Sequence, residues 1–247
     1  ACENHGAVTT ADSTGTTYIG GIVGWARIAA DTNTSVSTRI MTNCVNYYNL
    51  DYSNTNVSNG SKGTIHAGGV AGRINDEDAH RYWETISGNK NYGDITFSSN
   101  VKTCYYGGIY GSVAVSAKDN KYKVDGAVNV LDNSTPYAIA EMTGCVSYGT
   151  LKAIGKKASM FTATARGASC KFINSSAGGI LVLNATTEEV EDPEGGEPQV
   201  NVTNINTPIT ADNLKDYLYS TAITAEDITT DVITLLTEKP AEATPAK

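Results

Sequence analysis

The chain has 247 residues, of which 40% are hydrophobic and 18% charged, and its formal net charge is -8. The length suits one large all-β domain or two small ones, and the acidic balance argues against nucleic acid and anionic membrane surfaces as partners, because both attract basic faces. No apolar run reaches the roughly 20 residues of a membrane helix, so we expect a chain that does not span a membrane.

Two short motifs alternate along the chain. The glycine motif, Gly-Gly-apolar-x-Gly, begins at Gly20, Gly68 and Gly107. The cysteine motif, Cys-x-Asn-x-Gly-x-apolar, begins at Cys2, Cys44, Asn89 and Cys145, with substitutions at some positions. Two motifs that take turns at a long period are typical of a solenoid, in which each copy of the repeat forms one coil.

The glycine motif predicts a strand with defined inner and outer positions. Its third residue is always Ile or Val, whereas its fourth residue varies. Because side chains alternate along a strand, we expect the third residues to point inward, one above another, and the fourth to point outward. We also expect the glycines to let neighbouring coils and the opposite wall approach closely. The third residues are Ile22, Val70 and Ile109, and the fourth are Val23, Ala71 and Tyr110.

The cysteine motif predicts a polar ladder beside a buried column. We expect its Asn side chains to stack and to bond one another from coil to coil, as amide ladders do in stacked strands. The cysteines should be core residues, mostly unpaired, because a free Cys packs as a small hydrophobe. The motif glycines should form left-handed corners, and Tyr48, which replaces one of them, should give its coil a different corner. The Asn residues are Asn4, Asn46 and Asn91, and the corner glycines are Gly6, Gly93 and Gly149.

The later copies of the repeat are less regular. The shortest step between cysteines, from Cys145 to Cys170, is interpreted as a bare coil, and the longer steps contain polar excursions, including a small hairpin over 122–131. The fourth and fifth copies of the glycine motif are assigned to 158–162 and 177–181.

The composition changes after the repeats. Residues 1–185 are assigned to the repeat domain, and the acidic stretch 186–199 to a linker or loop. Residues 200–238 are interpreted as a C-terminal capping segment, with a short helix capped by Thr210 and an apolar stripe of Leu214, Tyr217 and Leu218. Residues 239–247 are predicted to be a disordered tail. The predicted fold is therefore all-β, a right-handed parallel β-helix of about four to five irregular coils with a small C-terminal cap.

These alternating motifs resemble the GLUG-type glycine-rich repeats of bacterial surface and adhesin-like proteins. The resemblance covers roughly residues 1–183. It implies a β-solenoid module that is extracellular and displayed on the bacterial cell surface, held there by a lipid anchor on an upstream segment.

One cluster could contact a ligand. Asp76 and Asp78 lie in an acidic stretch that is followed by Tyr82 and Trp83, and sugar rings stack on exposed aromatics. The alternative is that both aromatics pack the loop onto the coil. Calcium is a further option for the acidic stretch, although the spaced Asp pattern of a calcium loop is missing. His5 and His66 are expected to face solvent, and Trp25 to be a packed surface aromatic.

No catalytic motif is apparent, so we expect a protein that is not an enzyme, has no cofactor, and serves adhesion or structural display. The partner would be a host or microbial glycan or protein. One alternative is a carbohydrate-binding or polysaccharide-processing β-helix. Another is a subunit of a surface filament that self-associates through the open edge of its first coil.

Overall fold

The computed structural model describes residues 1–10, 15–28, 41–54, 64–76, 86–99, 103–114, 122–125, 128–131, 140–154, 158–161, 165–166, 170–190, 199–218 and 233–243. Their secondary structure is almost entirely β.

The strands are short and numerous. In the first half of the chain they are β1 Glu3–Asn4, β2 Val8–Thr10, β3 Thr17–Gly20, β4 Val23–Ile28, β5 Met41–Thr42, β6 Val45–Asn46, β7 Leu50–Asn54, β8 Thr64–Gly68, β9 Ala71–Asp76, β10 Ile86–Ser87, β11 Lys90–Asn91, β12 Ile95–Ser99, β13 Thr103–Gly107 and β14 Tyr110–Ala114. The others are β15 Tyr122–Asp125, β16 Val128–Leu131, β17 Ala140–Thr143, β18 Val146–Ile154, β19 Ala158–Ser159, β20 Ala165–Arg166, β21 Cys170–Ile173, β22 Ser175–Val190, β23 Gln199–Pro208 and β24 Ile233–Leu236.

The sheets are predominantly parallel, and three of them take one strand from each successive copy of the repeat. The three four-stranded sheets have the orders β3-β8-β13-β19, β4-β9-β14-β20 and β5-β10-β17-β21. The largest sheet joins the cysteine motifs through β1-β6-β11-β18 and β2-β7-β12-β18. The predicted hairpin over 122–131 is confirmed as the antiparallel pair β15–β16. The prediction of an all-β protein is confirmed, and its sheets are mainly parallel.

The third residues of the glycine motifs form one column. The Ile22 amide donates to the Val70 carbonyl at 3.0 Å, and the Val70 amide to the Ile109 carbonyl at 2.9 Å. The Ile109 amide donates in turn to the Phe161 carbonyl at 3.2 Å. Val70 and Ile109 are fully buried, and Ile22 packs against the core. The expected inward column is therefore present.

The outward orientation predicted for the fourth residues is wrong. Ala71 and Tyr110 are fully buried and Val23 packs against the core. The amides of two successive residues donate to one carbonyl: Val70 and Ala71 both bond the Ile109 oxygen. The chain bends at this point, so the alternation of a straight strand is interrupted and two consecutive side chains point inward.

The Asn side chains form the predicted ladder. The Asn4 amide donates to Asn46 Oδ1 at 2.7 Å, and the Asn46 amide to Asn91 Oδ1 at 2.7 Å. Asn46 also donates to the Tyr48 carbonyl, and Asn91 to the Gly93 carbonyl. These equivalent bonds show that Tyr48 keeps the same local corner, contrary to expectation. Asn46 and Asn91 are buried, so their polar groups are satisfied mainly by one another.

The two motifs meet across the interior, as predicted. A Cβ on Gly21 would lie 2.6 Å from Asn46 Cγ, and a Cβ on Gly69 would lie 2.6 Å from Asn91 Cβ. Both distances are too short for real atoms. The second glycine of the motif therefore makes room for the Asn ladder.

The left-handed corners lie elsewhere than predicted. Residues directly before the cysteine position have positive φ: 53° at Asn43, 64° at Gly88, 67° at Gly144 and 47° at Asn174. Among the predicted corner glycines only Gly149 has a positive φ, at 146°. Asn and Gly are the residues that adopt this conformation most readily.

The cysteine position is only partly a core position. Cys44 and Cys145 are buried free thiols, as expected, but Cys2, also free, is exposed. Asn89, at this position, is not a filler, because its Oδ1 accepts from the Cys44 amide and its Nδ2 donates to the Met41 carbonyl.

The later copies are offset from their predicted positions. Ser175, and not Cys170, lies beside Cys145, because Ser175 Oγ accepts the Cys145 amide at 3.0 Å and Cys170 pairs with Ala140. The segment assigned as a fifth glycine motif is thus a fifth copy of the cysteine motif. In the fourth glycine motif, Phe161 and not Met160 continues the column of third residues.

The C-terminal part folds back onto the last repeat. Residues 186–190, predicted as linker, continue strand β22, which pairs antiparallel with β23. Helix α1, Leu214–Tyr217, begins after Asn213, not after Thr210. The Phe161 amide donates to the Leu218 carbonyl, so Leu218 lies at the end of the column of third residues. Leu218 is fully buried.

The rest of the C-terminal part also packs on the repeats. Strand β24 extends the largest sheet by pairing parallel to the start of β22. Residues 241–243, predicted to be disordered, form a 3-10 turn with Ala243 buried. In the described part of the chain, no helix has the length and apolarity needed to cross a membrane.

Candidate functional site

A column of aromatic rings follows the outer side of the sheet β3-β8-β13. Tyr18, His66 and Tyr105 are paired in register on these strands. The Tyr18 and His66 ring centroids are 5.2 Å apart, and those of His66 and Tyr105 are 5.0 Å apart, with the rings stacked. Trp25, on β4, stacks on Tyr18 at 5.0 Å. We call these four residues the aromatic strip.

The adjoining sheet supplies polar groups to the strip. Arg73 and Ser112 lie on β9 and β14 at the same register position as Trp25 on β4. Arg73 Nη1 donates to the Tyr18 hydroxyl at a long 3.5 Å, and its guanidinium lies 6.0 Å from the centre of the Tyr18 ring. Ser112 Oγ and His66 Nδ1 are 2.7 Å apart. The strip therefore lines the junction between two sheets.

The third glycine of each glycine motif makes this junction possible. A Cβ on Gly24 would lie 2.6 Å from the Tyr18 carbonyl, and a Cβ on Gly72 would lie 2.6 Å from the His66 carbonyl. Any larger residue would push the following strand away. The glycines thus bring Arg73, one residue after Gly72, within reach of the strip.

Arg73 is the group that gives the strip its charge. Burial and the nearby Arg73 charge lower the pKa of His66 to about 4, so His66 is neutral near pH 7. Arg73 is only partly exposed, its Nε is buried without a hydrogen-bond partner, and among the described side chains no carboxylate pairs with it. A guanidinium removed from water without a counter-charge is costly.

The Ser112–His66 pair is not arranged for nucleophilic catalysis. Ser112 is 2% exposed and His66 is 6% exposed, so a substrate cannot reach the hydroxyl without displacing the strip. What the strip offers from outside is Trp25, which is 38% exposed, and the partly exposed rings of Tyr18 and Tyr105 beside one cation. Aromatic rings with one charged group favour binding over chemistry.

A second outer column is already covered by the chain itself. His5, Tyr47 and Tyr92 follow one another at centroid distances of 5.1 and 6.0 Å. Glu242 of the C-terminal turn accepts from the Tyr92 hydroxyl at 2.6 Å and pairs with Lys90 at 2.8 Å. Burial and Glu242 raise the pKa of Tyr92, and the Lys90 and Tyr92 hydrogen bonds lower that of Glu242.

The glycan contact predicted from sequence for Asp76, Asp78, Tyr82 and Trp83 stays a prediction. Asp76 is the last residue of strand β9, paired with Ile28. Asp78, Tyr82 and Trp83 lie outside the described residues. Within the described ranges, no cluster of three His, Cys, Asp or Glu side chains could hold a metal ion.

The strip was missed because its members were judged one at a time. Tyr18, His66 and Tyr105 each stand two residues before a glycine motif, and this recurrence is the signal that would have revealed it. Of the two histidines expected to face solvent, His5 is exposed and bonded to Glu3, but His66 is buried between rings. Trp25 is a packed surface aromatic, as predicted.

Comparison with known proteins adds no identification. No protein-family model, no curated protein and no solved structure matches this chain.

Proposed function

We propose that the repeats wind into a right-handed parallel β-helix of about four to five coils, and that this β-helix is a non-catalytic extracellular module of a bacterial surface protein. The observation that carries the proposal is the in-register column from Ile22 through Val70 and Ile109 to Phe161. The column, the Asn ladder and the parallel sheets all join equivalent positions of successive repeats. A stack of coils accounts for these three features together.

Such a module suits adhesion or structural display. Its coils leave one outer column of aromatic side chains, the aromatic strip, partly exposed, and an acidic, weakly charged surface favours solubility outside the cell. A filament built head to tail would need both ends of the stack open. Helix α1 and strand β24 pack on the last repeat, so we favour display over a filament.

The location can be tested with an antibody against the purified chain. Intact cells of the source bacterium should be labelled, and protease added outside should remove the label. Labelling that requires lysis of the cells would contradict an extracellular module.

The second candidate function is binding of carbohydrate, and the aromatic strip is the observation that favours it. Rings of Trp and Tyr supply apolar surface with polar edges, which suits the alternating faces of a sugar. When the protein is incubated with a panel of insoluble polysaccharides, it should be retained on at least one of them. It should not release sugar reducing ends from any of them. Release of sugars would contradict the non-catalytic proposal.

A further inference from the structure

The most informative unused group in the molecule is the guanidinium of Arg73. It lies at the junction of two sheets, beside the Tyr18 ring, and among the described residues its one hydrogen bond is the 3.5 Å contact with the Tyr18 hydroxyl. Its Nε is buried and has no hydrogen-bond partner in the same part of the chain. In a chain with a net charge of -8, a carboxylate could have been placed opposite this cation at many positions, yet none of the described carboxylates pairs with it.

We propose that the aromatic strip and Arg73 form a binding site for an acidic saccharide, in which Trp25 contacts a sugar ring and Arg73 pairs with an oxyanion carried by the sugar. The proposal deepens the carbohydrate-binding function above and rests on it. Two kinds of sugar carry such an oxyanion on a pyranose ring: a uronic acid carries a carboxylate, and a sulfated sugar carries a sulfate ester.

Three features of the site fit this ligand. A guanidinium presents a planar fork of donors that matches carboxylate and sulfate oxygens, and Arg73 has donors to spare. His66 contributes no charge near neutral pH, so the described side chains of the site include one cation, which should take one anionic group. The rings extend over three neighbouring strands, which at about 4.8 Å per strand is enough to lie beside more than one sugar unit.

The spacing of the glycine motif makes the site a property of the fold. Gly72 brings β9 against the His66 backbone, and Arg73 follows it directly. The position equivalent to Arg73 is Trp25 one strand earlier and Ser112 one strand later. Ring, cation and hydroxyl therefore follow one another in register, with the Ser112 hydroxyl buried beneath the strip.

The test is binding of defined oligosaccharides to the intact chain by isothermal titration calorimetry. The probes are oligogalacturonate for the carboxylate, low-molecular-weight dextran sulfate for the sulfate, and maltohexaose as the neutral saccharide. The variant is Arg73→Gln. The matched control is Lys152→Gln, which removes one positive charge from a half-buried outward position on β18. Thermal melts confirm that both variants fold.

We expect at least one acidic probe to bind better than maltohexaose. Arg73→Gln should weaken that binding about tenfold, as expected for a lost charge-assisted hydrogen bond, and Lys152→Gln should change it less than about twofold. Trp25→Ala should weaken binding of every probe. If Arg73→Gln fails to fold, the natural chain is titrated with the same acidic and neutral probes. Chemical-shift changes of the Trp25 indole then show which probes bind at the aromatic strip.

The other outcomes overturn different parts of the account. Equal binding of neutral and acidic probes, or equal effects of Arg73→Gln and Lys152→Gln, would contradict recognition of an anionic group by Arg73. Saccharide binding itself would still stand. No binding of any probe, with no shift of the Trp25 indole, would overturn both.

Discussion

Replacing Gly69 by Ala tests the contact between the two motifs most sharply. A Cβ at this position would lie 2.6 Å from Asn91 Cβ, and closer still to Asn91 Cγ and the Gly108 carbonyl. The carbonyl belongs to the backbone bend of the next glycine motif, between β13 and β14, and cannot turn away. Asn91 cannot rotate freely either, because its Oδ1 accepts from Asn46 and its Nδ2 donates to the Gly93 carbonyl.

The expected cost has two parts. Forcing a methyl group into a well-packed interior costs about 1–3 kcal/mol. Displacing Asn91 leaves a buried amide without partners, which costs about 1–3 kcal/mol more. We therefore expect Gly69→Ala to lower the free energy of unfolding by about 2–6 kcal/mol, a large part of the roughly 5–15 kcal/mol that holds a typical domain together.

Urea denaturation followed by far-UV circular dichroism measures this change. Gly6→Ala is the matched control, because a Cβ there would meet only Asn4 Oδ1, at 3.9 Å, and its backbone φ is not in the left-handed region. The control should unfold within about 1 kcal/mol of the natural chain. If Gly69→Ala and Gly6→Ala unfold at the same urea concentration, the close contact between the motifs does not exist.

Three further predictions concern the ladder, the strip and the thiols. Asn46→Ala should cost about 3 kcal/mol in urea unfolding because it leaves buried ladder groups unpaired, whereas Asn4→Ala, at the less buried end, should cost under about 1 kcal/mol; equal costs would contradict the ladder. The pKa of His66 is about 4 in the folded chain and 6.5 in the unfolded chain, so protonation favours the unfolded chain. The stability that the neutral imidazole contributes is fully present above pH 6.5, and the free energy of unfolding should fall by about 3 kcal/mol as the pH drops to 4. His66→Gln should lose less stability than the natural chain over this range, and identical pH profiles of the two would refute this. Burial raises the pKa of Cys145 to about 11, so on the order of 0.1% is thiolate at pH 8, and mass spectrometry after brief alkylation should find Cys2 modified and Cys145 intact; comparable labelling of both in the folded chain would contradict the burial.

Much of the architecture could be predicted from the sequence because the repeat is simple. The column through Val70 and Ile109 and the ladder through Asn46 and Asn91 both follow from residues that recur at fixed positions. Recurrence of this kind reflects stacking of equivalent positions, which is set by the repeat and depends little on the rest of the chain.

The errors have a common physical origin in the corners. Period-two alternation holds only in straight strands, and it failed at Ala71 and Tyr110, where the chain bends and turns both neighbours inward. The left-handed corners at Asn43 and Gly88 were missed because the prediction followed the fifth residue of the cysteine motif, where only Gly149 has a positive φ. Cys170 was misassigned because the prediction followed the recurrence of Cys. The residue that lies beside Cys145 is Ser175, whose Oγ accepts the Cys145 amide.

The candidate site was beyond single-residue reasoning for another reason. His66 and Arg73 give no signal alone, and only the register of β3 with β8 and of β4 with β9 brings a buried imidazole, a guanidinium and the neighbouring rings together. The recurrence of Tyr18, His66 and Tyr105 before the glycine motifs was visible in the sequence. Its meaning depended on knowing that the motif's third glycine draws the next strand against that position.

The stacking of equivalent positions is tested most directly by methyl–methyl nuclear Overhauser effects in a chain with labelled Ile and Val methyl groups. Neighbouring strands lie about 4.8 Å apart, so cross-peaks should join Ile22 with Val70 and Val70 with Ile109, with a much weaker one or none between Ile22 and Ile109. A spectrum of the folded chain in which Val70 contacts neither isoleucine would contradict the stacked arrangement, together with the β-helix and the surface function proposed from it.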